Sequence, residues 1–186
     1  MKKVTAIILA VGMIFSLMAC SSNTPEKALD TALANAQSGD SSAFQSVIMS
    51  DEESSSDSST DEQDQKMYLT LFTKMTYEIG KAQITDDTAE VPVTITTLDM
   101  KTIMTNYLTE AFSNLLNQDF DGDAWIRDAM AADDAATTTL TATVTMIKTD
   151  DVWKINNSAD ITEFANALTG GLYGYSQSIS DSFSEK

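Results

Sequence analysis

The apolar positions of this chain change period several times, and each change marks an element. Leu29, Ala32, Leu33 and Ala36 recur at helical steps. They follow Thr24-Pro25-Glu26, a helix start with Thr as cap, Pro where its missing N–H does no harm, and an acid at the positive end. Ser38-Gly39-Asp40 stops that helix and opens a short second one carrying Ala43, Phe44, Val47 and Ile48. Tyr68, Leu71, Phe72 and Met75 keep helical spacing, after which Met75, Tyr77 and Ile79 alternate. A strand is therefore expected from near Met75, with Gly80 as a bulge or bend. Thr85-Asp86-Asp87-Thr88 is a polar turn into a second strand, Ala89 to Leu98. There Val91, Val93 and Ile95 point one way and Glu90, Pro92, Thr94 and Thr96 the other, and Pro92 points to a strand edge or an irregularity.

From Met100 the helical period returns, with Ile103, Tyr107, Leu108, Ala111, Phe112 and Leu115 read as one stripe up to Asn117, the longest helix expected. A loop, Asp119 to Asp123, leads to a helical piece with Trp125, Ile126, Ala129 and Met130. The clearest strand follows: Leu140, Ala142, Val144 and Met146 alternate with Thr139, Thr141, Thr143 and Thr145. Thr149-Asp150-Asp151 turns it into Val152-Trp153-Lys154-Ile155. A last helix carries Ile161, Phe164, Ala165, Leu168 and Leu172, weakened by Gly170-Gly171, and the Ser-rich residues 175–186 are expected to be a flexible tail. Two antiparallel hairpins separated by helices predict a single α+β domain, a strongly bent antiparallel sheet with helices packed on its concave face.

The first twenty residues belong to a different pattern. Lys2 and Lys3 precede an apolar run from Val4 to Phe15, too short for an ordinary membrane span, and Leu17-Met18-Ala19-Cys20 closes it. This ending resembles the lipobox of bacterial lipoproteins, which implies that residues 1–19 are a cleaved signal peptide and that Cys20 becomes a diacylglyceryl-modified N-terminus. Each buried methylene contributes about 0.8 kcal/mol, so two acyl chains anchor where one holds only marginally. The expected organisation is a lipidated tether over 20–24, a domain over 25–174 with an acidic Ser-rich loop at 50–64, and the tail. The expected location is the extracytoplasmic face of the cell membrane.

Cys20 is the sole cysteine, so the domain has no internal disulfide and rests on packing alone. Loss of Lys2 and Lys3 with the signal leaves nine bases against 28 acids, an excess of 19 negative charges. Such a charge repels phosphate backbones and anionic lipid alike, which sets nucleic acid aside as a partner and stands the domain off the membrane on its lipid.

The order of helix, Ser-Gly-Asp break, hairpin with Thr88-Ala89-Glu90-Val91-Pro92-Val93, helical insertion, and a Val144 to Lys148 strand turning into Asp151-Val152-Trp153-Lys154-Ile155 resembles the nuclear transport factor 2-like (cystatin-like) superfamily. It is similar above all to small Gram-positive lipoproteins that carry such domains, over roughly Pro25 to Leu172. The resemblance implies early helices packed into a cone-shaped sheet that can enclose a pocket, and a homodimer through the open sheet face as one arrangement. The acidic loop and the long middle helix depart from the minimal fold.

The chain has no histidine, which removes His-activated nucleophiles and His-containing zinc sites. No catalytic set and no cofactor motif stand out. Asn117, Asp119, Asp121, Asp123 and Asp128 around Gly122 have the spacing of a calcium loop, with Asn at position 1 and the short Asp128 at position 12 as departures. The competing reading is an Asp-rich turn with Gly122 at positive φ and Asp123 capping the next helix. Trp125, Trp153, Tyr68, Tyr77, Phe72 and Phe112 read first as core and second as pocket lining, and the Thr139 to Thr145 row as a solvated strand side. Gly170-Gly171-Leu172-Tyr173-Gly174-Tyr175 lacks the strand and the Lys-Ser or Lys-Thr of a phosphate loop.

The expectation is thus a noncatalytic, lipid-anchored domain that binds a small molecule, peptide or protein. The alternatives are an isomerase or lyase with an Asp/Tyr pair in the cone, and a purely structural surface protein.

Overall fold

A computed structural model of the chain describes residues 23–39, 62–115 and 119–184. The signal segment with Cys20, the short helix expected around Ala43 to Ile48, and the acidic loop up to Asp61 lie outside the described residues. The elements are α1 (Pro25–Gln37), α2 (Glu62–Thr73), β1 (Thr76–Ile79), β2 (Gln83–Thr85), β3 (Thr88–Leu98), α3 (Met100–Ser113), α4 (Gly122–Ala131), β4 (Thr137–Thr149), β5 (Val152–Ile155), α5 (Thr162–Leu168) and α6 (Leu172–Ser184). The fold is α+β, a strongly curled antiparallel sheet with the six described helices packed against it.

β3 is the spine of the sheet. One edge pairs with β4 from Thr88↔Ile147 to Leu98↔Thr137, the other with β1 and β2, and β5 extends the sheet beyond β4. Between Ile79↔Val93 and Gln83↔Glu90, residues 80–82 oppose only 91–92, so one extra residue forms a bulge at Gly80. The Gly80 N–H donates to the Pro92 carbonyl at 2.7 Å. Because the N–H and C=O of a strand residue point to the same neighbour, the donor missing from Pro92 falls on the bulged side. The ladder to β4 is untouched. Pro92 thus marks an irregularity inside a central strand and no sheet edge.

Alternation decides the faces. Ala89, Val91, Val93 and Ile95 of β3 and Ala142, Val144 and Met146 of β4 are buried under helices, joined by Leu29, Leu33 and Ala36 of α1 and Phe164, Ala167 and Leu168 of α5. The threonines between them face outward, where Thr96 and Thr139 hydroxyls lie 2.8 Å apart and Thr94 and Thr141 3.2 Å apart. Such cross-strand pairs stiffen the polar face. Both hairpin turns use aspartate in the left-handed region: Asp86 at φ 53°, and Asp150 and Asp151 at 51° and 62°, the double positive φ of a type I′ turn.

A second core sits at the end of β3, where Leu98, Met100, Ile103, Met130 and Leu71 pack with Trp125 and Ile126. α2 serves both cores, turning Phe72 to the sheet and Leu71 to the second cluster. Buried Thr97 donates its hydroxyl to the Leu71 carbonyl at 3.2 Å. Lys74 Nζ donates to the Met130 carbonyl at 2.7 Å, placing a cation at the negative C-terminal end of α4.

Three boundaries differ from the sequence-based expectation. Residues 62–64, read from sequence as part of the acidic loop, already belong to α2. Residues 175–184, assigned to a flexible tail, continue α6. Leu172, Tyr175 and Ile179 keep helical spacing, and the hydroxyls of Ser176, Ser178 and Ser182 bond back to carbonyls three or four residues earlier, so the serines do not break the helix. Gly170 and Gly171, at φ 56° and 84°, do not fray a last helix but turn α5 into α6. The Gly171 N–H closes on the Asn166 carbonyl at 2.9 Å, and Asn166 Oδ1 accepts the Gly174 N–H at 2.8 Å.

A Cβ on Gly170 would stand 1.8 Å from the Leu98 carbonyl oxygen, whereas one on Gly171 would meet only Lys101 Cβ at 3.4 Å. Gly170→Ala is therefore expected to cost at least about 3 kcal/mol, and Gly171→Ala about 1–2 kcal/mol from its positive φ alone. Chemical denaturation of the two variants side by side checks the order; equal losses contradict the close crossing of the α5–α6 turn over β3.

Candidate functional site

α1 is fastened to the bulged edge of the sheet by polar contacts at three heights. Glu26 Oε1 accepts the Ala82 N–H at 3.0 Å, Tyr77 donates its hydroxyl to Asp30 Oδ1 at 2.9 Å, and Gln37 Nε2 donates to the Met75 carbonyl at 2.7 Å. Burial pushes the Glu26 carboxyl up, but the hydrogen bonds from Ala82, its own N–H and Thr24, with the charge of Lys81, outweigh it and hold the group below its ordinary value. This bond gives a partner to a backbone donor that the bulge removes from the ladder.

Tyr77 and Asp30 are the aspartate–tyrosine pair that the geometry brings together. Desolvation, then the hydrogen bond and negative charge of Asp30, push the Tyr77 hydroxyl up to about 12. That shift runs away from neutrality, whereas proton transfer at neutral pH favours a group drawn toward it. The pair holds α1 against β1, and its hydroxyl already donates to the carboxylate. The separation of 47 positions between the partners leaves no local sequence signal for it.

The stretch with calcium-loop spacing is helical from Gly122 onward. Asp121, not Asp123, caps α4: its Oδ1 accepts the Ala124 N–H at 2.9 Å and its carbonyl the Trp125 N–H at 3.1 Å. Asp123 sits in the first helical turn, and Asp128 follows on the same helix about 140° around its axis, so the two carboxylates diverge. Gly122 does not hold a positive φ; a Cβ there would come within 2.8 Å of the Tyr107 hydroxyl oxygen. Asp119 is exposed in the preceding turn, and Asn117 lies outside the described residues. Among the described residues no group of three or more acidic or cysteine side chains is gathered in a metal-holding arrangement.

The aromatic residues divide by place. Phe72 and Trp153 are buried in the main core, with Tyr68 and Tyr77 packed against it. Tyr107 stacks on Phe120 at 6.4 Å between ring centroids and meets Trp125 at 6.0 Å, which joins the α3 and α4 arms. Phe112 departs from the expectation of a buried stripe: it is 73% exposed, and Leu115 76%. At about 100° per residue, Phe112 lies about 180° around the helix from Ile103, and Leu108 about 140°. The apolar positions of α3 thus span half the helix, and α4 covers only the Ile103–Tyr107–Ala111 side. Leu108 and Phe112, with Leu115 in the turn that follows, form a second apolar face beside Glu110 and ahead of Asp119, Asp121 and Asp123. The same angular count, applied to the sequence, separates the two faces.

No family model, no curated protein and no solved structure matches the chain.

Tyr77 has a raised pKa in the folded state, so its stabilising contribution is whole below about 10 and is lost as pH rises toward about 12. The stability of Tyr77→Phe is expected to fall less steeply than that of the parent across that window; parallel curves from denaturation at each pH contradict the pairing. Calorimetric titration of the lipid-free domain with calcium is expected to give no binding heat at millimolar concentration. A saturable 1:1 heat contradicts the helical start at Gly122.

Proposed function

We propose that the chain is a lipid-anchored extracytoplasmic protein whose domain, of nuclear transport factor 2-like architecture, is a noncatalytic interaction module that docks a protein partner on the outer face of α3. One observation carries this reading: the exposure of Phe112, in the last turn of a helix whose opposite side is packed, and of Leu115 just past the helix end. Isolated exposed hydrophobes are ordinary, but two large ones sharing a face with Leu108 make a patch of the kind that marks contact surfaces. Fully burying a Phe or Leu side chain is worth about 1.5–3 kcal/mol, so the two supply a gross stabilisation of about 3–6 kcal/mol to a complex.

The surroundings favour protein over lipid. Glu110, Asp119, Asp121 and Asp123 repel an anionic bilayer surface and complement a partner whose apolar groove is bordered by Lys or Arg. The concave face of the sheet is occupied by α1 and α5 side chains, which supports contact on the outside of the domain over capture of a ligand in the cone. The anchor reading rests on Leu17-Met18-Ala19-Cys20 and is supported by the domain beginning only a few residues later, at Pro25.

A photocrosslinking residue in place of Thr109, on intact cells, is expected to join the chain to a second protein. The pair Phe112→Ser and Leu115→Ser is expected to abolish that adduct while changing domain stability by no more than about 0.5 kcal/mol. Adducts to lipid alone, or an adduct that survives both substitutions, contradict the docking face. Mass spectrometry of the mature N-terminal peptide checks the anchor, with a diacylglyceryl-modified Cys20 expected.

A further inference from the structure

The place where the chain enters the fold decides which end of the domain meets the membrane. Asn23 donates its side-chain amide to the Asp151 carbonyl, which puts the start of α1 beside the β4–β5 turn. The β2–β3 turn lies at the same end, since the Lys148 N–H donates to the Asp87 carbonyl at 2.7 Å and Thr88 pairs with Ile147. Lys148 Nζ meets Asp151 Oδ1 at 2.9 Å across this surface. Both aspartate turns and the chain entry therefore share one end of the sheet. The other end, about 33 Å along β3, holds Leu98, Thr137 and the start of α3.

We infer that the end formed by the Asp86-Asp87 and Asp150-Asp151 turns is the membrane-facing surface of the anchored protein, and that the helices of the second core arise from the end turned away. This rests on the lipid-anchor reading. From Cys20 to Asn23 the backbone spans at most about 11 Å, while a domain of this size has a radius of gyration of about 15 Å. The tether is shorter than the body it holds, so the domain cannot turn over and lift its chain-entry end away from the bilayer. Four aspartates, offset by Lys148, then face the headgroups, and the exposed Ile84, Ile147 and Val152 stand beside the same two turns.

The test uses the full lipoprotein, made in the bacterium and placed in phosphatidylcholine vesicles that contain a nitroxide-headgroup lipid. Cys20 is the sole cysteine and its sulfur is consumed by the lipid thioether, so single-cysteine variants take one fluorophore each. Label on D87C, or on T149C as a second near-end position, is expected to be quenched at least about threefold more than label on T137C, given the length of β3 between them. Equal quenching at the two ends, or stronger quenching at T137C, in vesicle-bound protein overturns the orientation. The unaltered chain is expected to take no maleimide. If it reacts, Cys20 carries no lipid, and the orientation falls together with the anchor reading on which it rests.

Discussion

The double-sided pairing of β3 is the constraint on which the rest of the domain depends. Its eleven residues bond to β4 along one edge and to β1 and β2 along the other, and its inward side chains Val91, Val93 and Ile95 form the floor on which α1 and α5 pack. With the only cysteine at position 20, no cross-link supports this arrangement, and burial of apolar surface must offset the chain entropy alone. The bulge at Gly80 lets the edge strand follow the curl, and Glu26 of α1 bonds the Ala82 N–H within the bulged stretch. Sheet curvature and helix position are therefore set together.

From the far end of β3 the chain builds a second, smaller core. Leu98 and Met100 begin it, α2 reaches it with Leu71, and the α5–α6 turn crosses it at Gly170, so close that only a residue without Cβ fits. α3 is held there at its first two turns and by the Tyr107–Trp125 contact, while Phe112 in its last turn and Leu115 just beyond it stand in solvent. Burial and exposure are thus divided along one helix, the first half serving the core and the second standing in solvent. The chain entry lies at the opposite end of the sheet, beside two acidic turns, apart from the end at which these helices arise.

How much of this the sequence discloses follows from which forces are local. The alternation of β3 and β4, the aspartate hairpin turns, the cap at Thr24 and the break at Ser38-Gly39 are legible because each is fixed within a few residues. Pro92 announces an irregularity but not its kind, since the bulge that accommodates it is on the neighbouring strand. The Asp30–Tyr77 and Asn23–Asp151 contacts join residues far apart in the chain and leave no periodic trace. Asp121 against Asp123 as the cap is a choice between adjacent residues of one type, settled by where the helix can pack Tyr107 over Gly122. α6 was obscured by its serines, whose composition outweighed the spacing of Leu172, Tyr175 and Ile179. The exposed face of α3 has no separate periodic signal, since its apolar residues form one apparent stripe that only their angles divide into two.

Native-state hydrogen exchange measures this division of labour most directly. The account places the slowest-exchanging amides at Val91, Val93, Ala142 and Val144, where β3 and β4 pair beneath α1 and α5, and the fastest helical amides in the last turn of α3, from Glu110 to Ser113. Protection in that turn equal to that of β3 would contradict it, since the helix end would then be part of the stable frame and not a face held out from it.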